Sequence, residues 1–148
     1  GEFARMGWDA AVVPNPQDVE TFNRSKLDWS ELDKPEHARL LEIYRELIAL
    51  RRREADITTP WLDASTVDVS AEDGTLVITR GSLVVAVNFS SDERQLPVRH
   101  ATEVLFATDA RVALGKTTGT TTGAPVGTPL VPLSLPAQSA AVIRVTRA

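Results

Sequence analysis

Four carboxylates near the start of the chain, Asp18, Asp28, Asp33 and Glu36, are the first residues that could act as acid, base or nucleophile. Cleavage of a glycosidic bond needs two such groups facing each other at roughly 5 to 10 Å. Spacing alone brings no two of them together, and Asp33 with Glu36 three residues later reads better as a helix-capping pair. A second constellation is aromatic. Trp8, Phe22 and Trp29 flank Gln17, Asp18, Arg24, Lys26 and Asp28. Indole and phenyl faces beside hydrogen-bonding side chains suit a sugar ring, whose C–H face stacks while its hydroxyls pair with amides and charges. The competing reading is that these aromatics pin an irregular loop to a larger body.

Other candidates resolve quickly. His37 and His100 lie far apart, with neither metal-ligand spacing nor the surroundings of a catalytic triad. There is no cysteine, so disulfides, thiolate metal sites and a cysteine nucleophile are excluded. Gly115-Lys116-Thr117-Thr118 lacks the glycine five residues earlier that a phosphate-binding loop requires; Ala110 stands there, and no helix can follow. It reads as part of a mobile Gly/Thr-rich loop over 115–127. Arg51, Arg52 and Arg53 fit the negative end of a helix dipole better than a nucleic-acid surface. No cofactor and no metal are expected.

The elements that would position these residues fall into two halves. Six of the eight aromatic residues lie within the first 61 positions. After Pro14-Asn15-Pro16 the sequence predicts a short helix over Gln17–Arg24, then irregular chain. The clearest element is a helix over Lys34–Arg53, capped by Asp33, with Pro35 in its first turn. Leu40, Leu41, Tyr44, Leu47, Ile48 and Arg51 mark one face, and Ile43 and Leu50 widen it. A stripe that broad requires burial on more than one side.

From Ser65 the period becomes two. Strands are predicted over 66–71, 75–80, 83–89, 94–98, 102–107 and 140–145, with turns at Asp73-Gly74 and Arg80-Gly81-Ser82. Leu83–Phe89 is nearly continuous in apolar character, as in a central strand buried on both faces. Thr128–Leu135 is interrupted by Pro129 and Pro132 and reads as an edge or a loop. The expected fold is therefore α+β, an N-terminal loop and amphipathic helix followed by an antiparallel β-sandwich.

The 148 residues carry a net charge of −4 with a pI near 5.2, which argues against nucleic-acid binding. No apolar run approaches the roughly 20 residues of a membrane span. Gly1–Asp9 lacks a basic start followed by an apolar block, so no secretory leader is read there, and a cytoplasmic setting is expected.

Two sets of residues carry a resemblance. Leu40–Arg52, reading LLEIYRELIALRR, is followed some 30 residues later by Val84-Val85-Ala86-Val87-Asn88-Phe89-Ser90, and the chain closes with Leu135-Pro136-Ala137-Gln138-Ser139-Ala140-Ala141-Val142-Ile143. This order resembles the end of the α-amylase superfamily, glycoside hydrolase family 13. More narrowly, Gly1–Trp8, Val13–Asp18, Thr21-Phe22 and Ser25–Trp29 are similar to its trehalose-releasing hydrolases, with Asn15 standing where they usually carry Asp.

The resemblance implies that residues 1–60 are the end of a catalytic (β/α)8 barrel, its last loop and last helix, and that 61–148 form a C-terminal antiparallel β domain. It implies an enzyme that frees trehalose from maltooligosyl trehalose by hydrolysing an α-1,4 bond. The family's catalytic carboxylates lie on upstream barrel strands and match no position here, so the chain alone is expected to be inactive. Gln17, Asp18, Lys26 and Trp29 become candidates for the rim of the sugar cleft. The expected partners are a maltooligosaccharide-type substrate, met through the parent enzyme, and the upstream barrel portion. The alternative is an autonomous carbohydrate-binding or structural β-sandwich module.

Overall fold

The computed structural model describes residues 14–116 and 130–146. The chain divides into two compact units, 1–41 and 42–148.

In the first unit, Asn15 organises a turn. Its Oδ1 accepts from the Gln17 amide at 3.0 Å, and its carbonyl accepts from the Asp18 amide at 3.0 Å and from Thr21 Oγ1 at 2.7 Å. Helix α1, Val19–Arg24, follows, with Asp18 as its N-cap. A 3-10 helix spans Trp29–Asp33 and is capped by Asp28.

Helix α2 runs from Pro35 to Arg53. It contains no glycine, and Pro35 sits where a missing N–H costs nothing. The expected Asp33–Glu36 capping box does not form. Asp33 is the last residue of the 3-10 helix, and Lys34 takes the extended cap conformation instead. The Lys34 carbonyl accepts from the Ala38 amide at 2.9 Å, while its Nζ pairs with Glu31 Oε1 at 2.9 Å. The preceding turn takes Asp33, so the extended position before the helix falls one residue later, on Lys34. The helix stops where Glu54 swings to φ −99°. A single turn, α3 (Ala55–Thr58), and a 3-10 turn at Leu62–Ala64 lead into the strands.

Among the described residues, eight strands follow: β1 (Ser65–Ser70), β2 (Thr75–Arg80), β3 (Leu83–Asn88), β4 (Arg94–Arg99), β5 (Ala101–Ala107), β6 (Ala113–Leu114), β7 (Leu130–Leu135) and β8 (Ser139–Val145). They form an antiparallel five-stranded sheet, β1-β2-β3-β8-β5, and an antiparallel three-stranded sheet, β4-β7-β6. As its apolar run predicts, β3 is central and largely buried. Gly74 (φ 65°) and Gly81 (φ 57°) supply the left-handed turn positions on either side of β2.

Strand β7 departs from expectation. It is the middle strand of its sheet, not an edge or a loop. Pro132 lies opposite Pro97 of β4, so two residues lacking an N–H share one non-hydrogen-bonded pair and the ladder loses nothing there. On the other side, the Gly115 amide donates to the Pro132 carbonyl at 2.7 Å, but Pro132 cannot reciprocate, and β6 is only two residues long. Pro129 and most of the Gly/Thr-rich stretch, 117–127, lie outside the described residues.

The main core lies between the inner faces of the two sheets. Val84, Ala86, Ala141, Ile143 and Val145 from one meet Val98, Leu133 and Leu135 from the other. Full burial of a side chain such as Ile143 or Leu133 contributes about 1.5 to 3 kcal/mol. On the outer face of the larger sheet, Phe106, Val142 and Val85 pack with Leu50 and Ile43 of α2 and with Ile57 of α3.

Candidate functional site

The four residues singled out as a cleft rim lie on the turn, α1 and the 3-10 helix of the first unit. Asp18 is already engaged, its Oδ1 accepting from the Glu20 amide at 2.9 Å as a helix cap. Gln17 sits in the Asn15 turn and leaves its side-chain amide outward and exposed. Lys26 places its Nζ 4.5 Å from the centre of the Phe22 ring, a cation–π contact. Trp29 opens the 3-10 helix and is 72% exposed, and Phe22 is 64% exposed. Neighbouring Asp28 accepts from Ser30 Oγ at 2.6 Å and from the Ser30 amide at 3.0 Å, which holds its carboxyl below the usual carboxylate range.

The structure thus joins Lys26 to Phe22 and sets Gln17 beside Asp18. Among the described residues, no hydrogen bond or ion pair links Gln17, Asp18, Lys26 and Trp29 to one another. Each of the four is exposed, and Trp29, Lys26 and Gln17 carry groups capable of stacking and hydrogen bonding. His37 faces Glu31, with Nδ1 3.7 Å from Oε2. Among the described residues, no three His, Asp or Glu side chains gather as a metal site. No described helix is long and apolar enough to cross a membrane.

The stripe on α2 is split. Ile43 and Leu50 pack on the sheet, whereas Leu40 (55%), Tyr44 (61%), Leu47 (37%) and Ile48 (49%) are exposed. Leu47 also borders an open apolar cleft with Leu50, Ile57, Ile78, Val85 and Val142.

Sequence reasoning missed the polar joint between α2 and the larger sheet. Glu54, 8% exposed, takes a two-pronged ion pair from Arg144 of β8, with Nη2 to Oε1 at 2.9 Å and Nη1 to Oε2 at 3.1 Å. Hydrogen bonding from Arg144 holds the Glu54 carboxyl below its ordinary value. Arg80 donates through Nε to the Asp56 carbonyl at 2.7 Å, through Nη1 to Ser65 Oγ at 2.7 Å, and through Nη2 to the carbonyls of Thr59 and Trp61. The signal was present, because an arginine inside the apolar run Ala140–Val145 requires a partner.

The resemblance motif Asn88-Phe89-Ser90 also gains a physical meaning. Asn88, 1% exposed, places Nδ2 2.7, 3.1 and 2.9 Å from the carbonyls of Asp92, Leu135 and Pro136. Its Oδ1 accepts from the Ser90 amide and hydroxyl at 2.9 and 2.7 Å. One amide ties the end of β3 to the end of β7.

Comparison with solved structures gives the class first. Part of the α-amylase from H. orenii aligns over 89% of this chain and 25% of its own, with a TM-score of 0.55 at 16% identity, which shows a shared α+β fold. No family model matches the chain. Among curated proteins, the malto-oligosyltrehalose trehalohydrolase of Rhizobium sp. (strain M-11) is 42% identical over 97% of this chain. The protein of that name from Mycobacterium tuberculosis (strain ATCC 25618 / H37Rv) is 47% identical over 66% of it. That from Arthrobacter ramosus is 54% identical over 58%. The resemblance read from the sequence therefore holds: the chain is similar to part of the malto-oligosyltrehalose trehalohydrolases, consistent with a C-terminal portion. It spans 22%, 17% and 14% of those three relatives, less than a quarter of each.

Proposed function

We propose that this chain is the C-terminal part of a glycoside hydrolase that releases trehalose from maltooligosyl trehalose by hydrolysing an α-1,4 bond. The observation that carries this reading is the 42% identity to the Rhizobium relative across nearly the whole chain. In this reading, residues 1–60 complete the last loop and last helix of the barrel. Residues 61–148 are the β-sandwich domain beside it, and the setting is cytoplasmic. The reacting carboxylates belong to the barrel portion, so the chain alone is inactive.

The exposed half of the α2 stripe supports the proposal. Leu40, Tyr44, Leu47 and Ile48 project from one helix face, a pattern that wants an apolar partner. The occupant we assign is the barrel portion of the same protein, because more than three quarters of each relative's length lies outside the part matched here. Gln17, Asp18, Lys26 and Trp29 then contribute the rim of the substrate cleft, since active sites of such barrels are built from the loops at the strand C-termini. Trp29 offers a stacking face, Lys26 and Gln17 offer donors, and Asp18 shapes the turn that presents them.

A chimera tests the reading. The matched part of the Rhizobium protein is replaced by this chain, and trehalose release from maltooligosyl trehalose is measured. Retained release supports the proposal. A folded chimera without release, beside an active parent, contradicts it.

The exposure of Phe22 and Trp29 favours a second reading, an autonomous carbohydrate-binding module. Calorimetric titration of the chain with maltooligosaccharides separates the two. Binding heat with the isolated chain favours the module, and none at millimolar ligand removes it.

A further inference from the structure

The residues joining α2 to β1, Glu54-Ala55-Asp56-Ile57-Thr58-Thr59-Pro60-Trp61, hold a single helical turn of their own. Their contacts are those of a fastening. Pairing across the larger sheet brings Ser65, Arg80, Leu83, Arg144 and Glu103 into one row spanning all five strands. Residues directly opposite in antiparallel strands project from the same face, so the row's two arginines share the face on which Leu50 and Ile57 pack. Arg144 holds Glu54 at the end of the helix. Arg80 reaches three successive stretches of the joining segment, at Asp56, Thr59 and Trp61, and the first residue of β1. Asp56 turns its carboxylate the other way, accepting from the Ser82 amide at 2.7 Å and hydroxyl at 2.6 Å. Every one of these bonds lies within residues 42–148.

We propose that Arg80 and Arg144 form a clasp making the C-terminal half of α2, the 54–61 segment and the five-stranded sheet one mechanical body, so that this joint is a strut and not a hinge. The apolar contacts of Leu50, Ile43 and Ile57 supply adhesion without direction, whereas planar guanidinium forks fix distance and angle. The clasp determines where α2 is held and therefore which way its exposed stripe faces. Arg80 is the stronger half. Its acceptors include three backbone carbonyls, which do not titrate, and a lysine amine cannot span acceptors at both ends of the segment. The inference does not depend on the proposed activity and is tested on this chain alone.

Amide hydrogen exchange of the folded chain reads it directly. Arg80→Met and Arg80→Lys are both expected to speed exchange over residues 43–61 about tenfold or more, with the amides of β3 and β8 changing less than about threefold, as in local opening. Failure of the lysine variant to rescue identifies the fork geometry, not the charge, as the cause. Glu54→Gln, which keeps the shape and loses the ion pair, is expected to give a smaller acceleration confined to 47–58. It keeps the test decisive if Arg80 variants fail to fold. Unchanged exchange over 43–61 in Arg80→Met or Glu54→Gln, full rescue by Arg80→Lys, or equal acceleration throughout the sheet overturns the proposal.

Discussion

Substituting Gly81 by alanine should destabilise the chain far more than its exposed position in a turn suggests. Two costs combine. Gly81 has φ 57°, a left-handed conformation that costs a residue with a Cβ about 1 to 2 kcal/mol. A Cβ built there would also lie 2.5 and 2.6 Å from the carboxylate oxygens of Asp56. That carboxylate cannot retreat without giving up its bonds to the Ser82 amide and hydroxyl, at 2.7 and 2.6 Å. Hydrogen bonds to a charged group are worth about 1.5 to 3 kcal/mol each, and losing much of one and part of the other brings the total to about 3 to 5 kcal/mol. Urea unfolding followed by far-ultraviolet circular dichroism measures it, with an unchanged m-value confirming two-state behaviour. The mechanism is isolated by a cycle with Asp56→Ala. With the carboxylate gone, Gly81→Ala should cost only the backbone term, about 1 to 2 kcal/mol, leaving a coupling of about 2 kcal/mol or more between the sites. Additivity within about 0.5 kcal/mol would refute the steric account.

Three further outcomes follow from the same geometry. Asn88→Ala should lower the urea-derived stability by about 2 to 4 kcal/mol, because the carbonyls of Leu135 and Pro136 lose their donor. The depressed Glu54 carboxyl contributes stability that is present above its ordinary value near 4.5 and is lost as pH falls through its lower folded value. Melting temperature should therefore drop on acidification below about pH 4.5, and Glu54→Gln should flatten that drop, leaving the parts due to Asp28, lowered by Ser30, and to Asp109, which Arg111 holds at about 2. Ile48→Gln, on the exposed half of the stripe, should change the isolated chain's stability by no more than about 0.5 kcal/mol in thermal melts, yet weaken trehalose release in the chimera.

The parts of the fold legible in the sequence were those governed by local periodicity. Leu40 through Arg53 announced α2 because apolar residues recur at spacings of three, four and seven along one face, and the continuous run at Leu83 announced the central strand. The cap at Asp33 was misread because Asp33 is still the last residue of the preceding 3-10 helix, and local spacing does not show where one turn ends and the next begins. Strand β7 was misread because Pro132 turns its nitrogen away from β4 and toward the two-residue strand β6, and which side a proline faces depends on register with β4. The candidate residues Gln17, Asp18, Lys26 and Trp29 were visible as composition. Of the clasp, only the need of Arg144 for a partner was visible; the partner was not, because Glu54 and Arg144 are 90 residues apart in sequence, and no local pattern encodes a long-range ion pair.

The most direct test of the account compares trehalose release from maltooligosyl trehalose by this chain alone, by the preceding barrel portion alone, and by the two joined. Full release only from the joined protein, with none from this chain, is the predicted result. Trehalose released by this chain alone, or equal release with and without it, would contradict the account.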